Sequence, residues 1–257
     1  MRVEGRVVVV TGAANGIGAA LARRFAAEGA RALVLADVDE ANLAAVAGDV
    51  GGLAMRCDVS DPAALEHLVE AAERDAGPID LFCSNAGIVV PGGAESPDDV
   101  WRRCIDVNVM AHVWAARAVV PRMIARGGGY LLNTASAAGL LSQLGSATYS
   151  VTKHAAVALA EWLSITHGDQ GIKVSVLCPQ AVRTDMIAGV EEGGVAGVDG
   201  VIEPEDVAQA VIDGLAEESF LILPHPKVLE YYRRKGSDYD RWLSGMRRLQ
   251  SRFSGMG

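Results

Sequence analysis

Val7-Val8-Val9-Val10-Thr11-Gly12-Ala13-Ala14-Asn15-Gly16-Ile17-Gly18 is the stretch that decides how this chain is read. Four consecutive valines make a short run suited to a strand covered on both faces. The run stops at a glycine-bearing turn, and an Ala-rich pattern of helical period continues from Gly16 to Glu28. A strand, a tight turn and a helix in that order leave free N–H groups and the positive end of the helix dipole at the junction. Glycine there lets the backbone approach a pyrophosphate that a side chain would push away. The spacing is Gly-x3-Gly-x-Gly, not the Gly-x-Gly-x-x-Gly of other dinucleotide folds. Gly12, Asn15, Gly16, Ile17 and Gly18 are therefore candidate cofactor contacts.

Outward from this unit the same rhythm repeats. Strands are expected at Val7 to Val10, Ala32 to Ala36, Leu53 to Cys57, Ile79 to Ser84, Tyr130 to Thr134, Val174 to Cys178 and Phe220 to Leu223. Helical segments fall between them, such as Pro62 to Ala76, with Asp61 as N-cap and Pro62 in the first turn. Longer helices are expected at Pro97 to Ala125 and Ala147 to His167. Such alternation predicts an α/β fold, one doubly wound parallel sheet with helices on both faces. Residues 1–257 form one expected domain, with two departures from the rhythm. Residues 186–203, carrying Gly189, Gly193, Gly194, Gly197 and Gly200, are expected to be a mobile substrate lid. Residues 227–252, with Tyr231, Tyr232, Trp242, Leu243, Met246 and Leu249 among arginines, are expected to be an amphipathic helical extension. It packs on its own subunit or meets another.

The 257 residues are 50% hydrophobic and 21% charged, which suits a folded core and excludes a disordered or fibrous chain. A formal charge of −9 repels polyanions, so nucleic acid is not an expected partner. Cys57, Cys83, Cys104 and Cys178 lie far apart without a CxxC pair and read as reduced core residues. The five histidines lack metal-ligand spacing, and no metal is expected. No run approaches the roughly 20 apolar residues of a membrane helix, and the N-terminal run is too short for a signal peptide. A soluble, cytoplasmic protein is the expectation.

Asp37 ends the second strand, 25 positions after Gly12, where an acid accepts hydrogen bonds from an adenosine ribose and repels a 2′-phosphate. Val38 follows it and Asn15 precedes Gly16, so neither position supplies a cation for that phosphate. NAD is expected over NADP. Asp58, after the third strand, is placed to meet the adenine amine, with Val59 packing on the ring.

Tyr149 and Lys153 stand four residues apart in a helical pattern, on one face. A phenol of ordinary pKa near 10 is a poor base at neutral pH, and an adjacent ammonium stabilises its phenolate. Lowering that pKa by ~3 units takes ~4 kcal/mol. Ser136, 13 residues before Tyr149, is placed to hold a substrate oxygen.

Together, Thr11-Gly12-x3-Gly16-x-Gly18, Asp58, Asn85-Ala86-Gly87, Asn108, Ser136, Tyr149-x3-Lys153 and Pro179 through Thr184 resemble the short-chain dehydrogenase/reductase family, in its single-domain branch. The match runs from Arg6 to about Met186. The resemblance implies a single Rossmann-type domain with seven parallel strands in the order 3-2-1-4-5-6-7. It implies a catalytic tetrad of Asn108, Ser136, Tyr149 and Lys153. In that tetrad Tyr149 is the general acid/base, and Lys153 binds the nicotinamide ribose. Ser136 orients the substrate oxygen, and Asn108 holds a relay water. Asn85, Ala86, Gly87, Pro179, Val182 and Thr184 would line the nicotinamide half of the cofactor. A homo-oligomer, tetramer or dimer, follows from the same resemblance. Two positions depart from the family: Gln180 replaces a usual glycine and Ser84 a usual asparagine.

The expected reaction is NAD(H)-dependent interconversion of a secondary alcohol and a carbonyl. Val89, Leu141, Gln180 and Met186, with Val90, Ala137, Leu140, Leu144 and Ile187, are expected near the substrate. Most are apolar, which suits an apolar small molecule. Arg183 faces either solvent or an anionic substrate group. Two rival readings stand beside this one. A cofactor-binding sensor or scaffold without turnover leaves the intact tetrad without a purpose. An adenosine-binding methyltransferase leaves Tyr149 and Lys153 without one.

Overall fold

Seven parallel strands form one sheet in the order β3-β2-β1-β4-β5-β6-β7. They are β1 (Val7–Thr11), β2 (Ala32–Asp37), β3 (Leu53–Arg56), β4 (Leu81–Ser84), β5 (Gly129–Thr134), β6 (Ile172–Leu177) and β7 (Leu221–Ile222). The helices are α1 (Gly16–Ala27), α2 (Glu40–Val50), α3 (Pro62–Ala76), α4 (Asp98–Ile105), α5 (Ala111–Ala125), α6 (Ala147–His167), α7 (Pro204–Glu217), α8 (Lys227–Ser237) and α9 (Tyr239–Phe253). This computed structural model describes residues 1–189 and 191–253. Val190, within the expected lid, and residues 254–257 of the expected domain lie outside the described residues.

Alternation along β1 builds two cores. Val8 and Val10 pack with Leu33, Leu35, Leu81 and the buried side chains of α1, α2 and α7. Val9 points the other way, into a cluster with Val34, Phe82, Leu131 and the buried side chains of α3, α5 and α6. Each β1 residue is thus buried from one side or the other, which is why the run reads as uninterrupted valine. β1 pairs with β2 on one side and β4 on the other, so the direction of winding reverses there and a crevice opens at the carboxyl ends of these strands.

Local signals place the helices as expected. The Asp61 side chain accepts a hydrogen bond from the Ala63 amide, and Pro62 occupies the first turn of α3. The long segment read from Pro97 to Ala125 is α4 and α5 joined by a π-helical turn at Asp106–Met110. That turn contains Asn108, and a π-turn inside a helix commonly marks a functional position. The C-terminal extension is two helices, because Asp238 is extended between them (φ −154°) and its side chain accepts from the Arg241 amide. The described part of the expected lid carries 3-10 turns at Asp185–Ile187 and Glu191–Gly197. All four cysteines are buried and unpaired. No helix among the described residues is long and apolar enough to cross a membrane.

Candidate active site

The β1–α1 turn needs its glycines for contact with the next strand as well as for conformation. Gly12 has φ 67°, and a Cβ there would lie 2.8 Å from the Ala86 Cα. Asn85 fastens the two strand ends together: its amide nitrogen donates to the Thr11 and Gly12 carbonyls at 3.1 and 3.3 Å. Its Oδ1 accepts from the Thr134 hydroxyl at 3.1 Å, which ties in β5. The N-cap of α1, Asn15, makes no side-chain capping bond. The first N–H groups of α1 therefore stay open to an anion at the mouth of the crevice.

Asp37 lies at the end of β2 on the rim of the cleft. One carboxylate oxygen accepts from the Ala14 amide at 3.0 Å, and the other from the Val38 and Asp39 amides at 2.7 and 3.1 Å. Asp58 is held below the usual carboxylate range by hydrogen bonds from the Ser60 hydroxyl and amide. Gly12, Asn15, Gly16, Ile17, Gly18, Asp37, Val38, Asp58, Val59, Asn85, Ala86, Gly87, Pro179, Val182 and Thr184 all line one cleft of about 760 Å³.

Ser136, Tyr149 and Lys153 line the same cleft. α6 carries the last two on one face, one turn apart. Lys153 is only 2% exposed; its ammonium donates to the Thr134 carbonyl at 2.9 Å and lies 5.7 Å from the centroid of the Tyr149 ring. Burial pushes the Lys153 pKa down to about 8. The Ser136 hydroxyl accepts from the Ala138 amide and donates to the Pro179 carbonyl at 3.3 Å. The expected lowering of the Tyr149 pKa joins Lys153 with an oxidised nicotinamide; the protein's own groups act the other way. Burial raises it, and the adjacent Ser136 side chain only partly offsets that. The ammonium is turned to a carbonyl, not to the phenolic oxygen.

Asn108 is fully buried and does not face the cleft. Its Oδ1 accepts from the Ile88 amide at 2.8 Å, while its amide nitrogen donates to the Ile88 carbonyl and the Thr152 hydroxyl at 2.9 and 3.1 Å. Between it and Lys153 only bare backbone fits: a Cβ on Gly87 would lie 3.2 Å from the lysine nitrogen and 3.3 Å from the asparagine oxygen.

On the substrate side, Val89, Gln180, Met186, Leu144 and Ile187 line the cleft. Leu141 does not, which corrects its expected contact: it lines a second cavity of about 390 Å³ against α9. Its carbonyl, with that of Leu140, is held by Lys235. Val90, Ala137 and Leu140 also stay off the cleft. Arg183 pairs with Glu203 at 2.7 Å. The Gln180 amide donates to His225 Nδ1 at 3.2 Å, and its side-chain oxygen is buried without a partner.

Three features were outside the sequence reading. Thr152 positions Asn108, and its signal is only that it precedes Lys153. His112, one turn after Asn108, is buried near Lys153 with both ring nitrogens unpartnered. Tyr231 and Lys235 repeat the Tyr-x3-Lys spacing, yet neither lines the cleft; Tyr231 donates to Asp199 instead.

The sequence profile of the short chain dehydrogenase family matches residues 6–193. The chain is 40% identical over 233 residues to 1-deoxy-11-beta-hydroxypentalenate dehydrogenase of Streptomyces exfoliatus, covering 86% of this chain and 84% of that one. Its fold superimposes on a short chain dehydrogenase/reductase from Burkholderia phymatum in complex with NAD. The TM-score is 0.85 and the identity 32%, covering 93% of this chain and 96% of that one. A 3-ketoacyl-(acyl-carrier-protein) reductase from Brucella melitensis complexed with NADH is similar at TM-score 0.79 and 30% identity, with 86% and 96% coverage.

Proposed function

The chain belongs to the short-chain dehydrogenase/reductase family and is an NAD(H)-dependent oxidoreductase acting on a small organic substrate; we propose that it interconverts a secondary alcohol and a carbonyl of an apolar molecule, with Tyr149 as general acid/base. One observation carries this reading. Ser136, Tyr149 and Lys153 stand together on the cleft that begins at the uncapped amino end of α1.

The residues present fit a nicotinamide dinucleotide. The open N–H groups of α1 suit its pyrophosphate, the bare Gly12 turn gives it room, and the Asp37 carboxylate suits a ribose diol. Bound there, the cofactor supplies hydride to a carbonyl carbon or removes it from a carbinol carbon. The Tyr149 phenol gives a proton to the substrate oxygen in reduction and its phenolate takes one in oxidation. Ser136 holds that oxygen. Lys153 binds the ribose hydroxyls and supplies positive charge to the site. Asn108 acts through Ile88, fixing the wall behind Gly87. Asp37, followed by Val38 and lining the cleft, favours NAD over NADP.

The cleft near Tyr149 carries Val89, Leu144, Met186 and Ile187, which favours an apolar substrate such as a terpenoid or other lipid alcohol. The Streptomyces exfoliatus relative, named for a hydroxypentalenate, is in keeping with that class. A homo-oligomer is also part of the proposal. Val151, Trp162 and Ile165 recur at helical spacing on α6 and are 53%, 56% and 84% exposed. The four unpaired cysteines suit a reducing compartment such as the cytoplasm.

An NAD-linked screen of secondary alcohols and ketones tests this reading. Apolar substrates should turn over, and Tyr149→Phe should abolish turnover while leaving NADH affinity within about threefold. Near-normal turnover by Tyr149→Phe rejects the acid/base role, and activity confined to small polyols rejects the apolar substrate.

A further inference from the structure

We propose that α8 is a strut that fixes the two rims of the substrate opening, with Tyr231 and Lys235 as positioning residues that determine how tightly a substrate is held. Lys227, Tyr231 and Lys235 recur every four residues, so they share one face of α8 and span about 12 Å of helix. At one end Lys227 and Tyr231 converge on a single acid. Lys227 pairs with Asp199 Oδ1 at 3.0 Å, and the Tyr231 hydroxyl donates to the same oxygen at 3.0 Å. The Asp199 side chain is only 6% exposed. It follows the Glu191–Gly197 turn, whose Gly193 to Ala196 line the cleft.

At the other end Lys235 is 8% exposed and directs three hydrogen bonds inward. They reach the Leu140 carbonyl at 2.8 Å, the Leu141 carbonyl at 3.0 Å and His154 Nε2 at 3.3 Å. The histidine acceptor is set by its other nitrogen, which lies 2.8 Å from the Ser150 carbonyl and so carries the proton. The loop so held continues to Gln143 and Leu144, which line the cleft, and to Ser146, which caps α6 beside Tyr149. A buried ammonium bonded to loop carbonyls is costly to remove, because those acceptors then lose their partner inside the protein. One short helix therefore ties the lid end and the β5–α6 loop to a common rigid element. Substrate meets rims already placed, not rims it must order at its own expense.

The placement of the opening rests on the proposed reading of the cleft, so the experiment has an arm independent of activity. Hydrogen exchange of the free protein, read by mass spectrometry, should quicken about tenfold at residues 193–203 in Tyr231→Phe, with residues 139–146 unchanged. Lys235→Met should give the converse. Asp199→Asn, which weakens the first contact from its other side, should reproduce the Tyr231→Phe pattern. For an apolar alcohol that the wild-type protein oxidises, KM should rise about fivefold in Tyr231→Phe while kcat and NADH affinity stay within about twofold. Exchange unchanged in all three variants, or quickened uniformly along the chain, overturns the strut. A kcat loss with KM unmoved overturns its role in holding substrate. Segment-specific exchange in a protein that oxidises no alcohol would uphold the strut and reject the proposed reaction instead.

Discussion

The Lys153 ammonium lies 5.7 Å from the Tyr149 ring centroid yet gives its hydrogen bond to the Thr134 carbonyl, so the two side chains share a wall without sharing a proton. The consequence is electrostatic. Burial lifts the phenol above its ordinary range and lowers the lysine to about 8, so the protein alone disfavours both charges. Lys153 and a bound oxidised nicotinamide would together favour the phenolate. Ultraviolet titration, taken as the difference between native protein and Tyr149→Phe, should place the free Tyr149 above pH ~10. Adding NAD should move it down by at least one unit. A free-protein value already near neutrality would refute this account.

Asp37 holds the Ala14, Val38 and Asp39 amides, so its carboxylate shapes this end of the cleft, and on the proposed reading it also repels a second phosphate there. Asp37→Ala should lower NAD affinity and cut discrimination against NADP by at least about tenfold. The ratio of kcat/KM for the two cofactors measures this. Equal use of both by the native protein would remove the argument at its start.

His112 and His225 are buried and His154 is half-buried, and burial favours the neutral form of each. Burial drives His112 down to about 3, reinforced by Lys153; burial also lowers His154 and His225. In the unfolded chain each takes a proton near pH ~6.5. The unfolded state thus binds more protons below that value, and the stability from these groups is complete above it and lost as pH falls towards the folded pKa. For His112, whose folded value lies far below that of the unfolded chain, the slope approaches about 1.4 kcal/mol per pH unit. Urea unfolding of the free protein from pH 7.5 to about 5 should show that decline. His112→Leu should make it shallower by one proton, and a pH-independent midpoint would contradict the prediction.

Much of this was legible in the chain. Four valines before Gly12 fixed a central strand because β1 is covered on both faces, and the order of strand, turn and helix located the uncapped amino end of α1. Spacing placed Tyr149 and Lys153 on one helical face, but the same spacing at Tyr231 and Lys235 leads to Asp199 and two loop carbonyls. Sequence distance alone does not distinguish the pairs; the strand and Ser136 before the first do. Leu141 and Leu144 look alike as letters; both border the second cavity, and of the two Leu144 also lines the cleft. The Asn85 bonds to Thr11 and Gly12 cross more than seventy residues, beyond any local pattern.

Asn108 supplies the last test, because its amide meets Ile88 on both edges. Its oxygen accepts the Ile88 N–H and its nitrogen serves the Ile88 carbonyl, so one side chain satisfies a backbone segment that no strand pairs. Asn108→Ala leaves both backbone groups unpartnered inside the protein and should cost roughly 2–4 kcal/mol in urea unfolding. Asn108→Asp separates hydrogen bonding from shape. It has the same size and keeps an acceptor for the Ile88 N–H, but it sets a carboxylate oxygen against the Ile88 carbonyl and buries a charge. It should therefore destabilise at least as much as alanine, with NADH affinity reduced in both because the Gly87 backbone beside Lys153 loses its support. An aspartate variant as stable as the native protein would show that the Nδ2 bonds to Ile88 and Thr152 contribute little and that Asn108 holds this wall by volume alone.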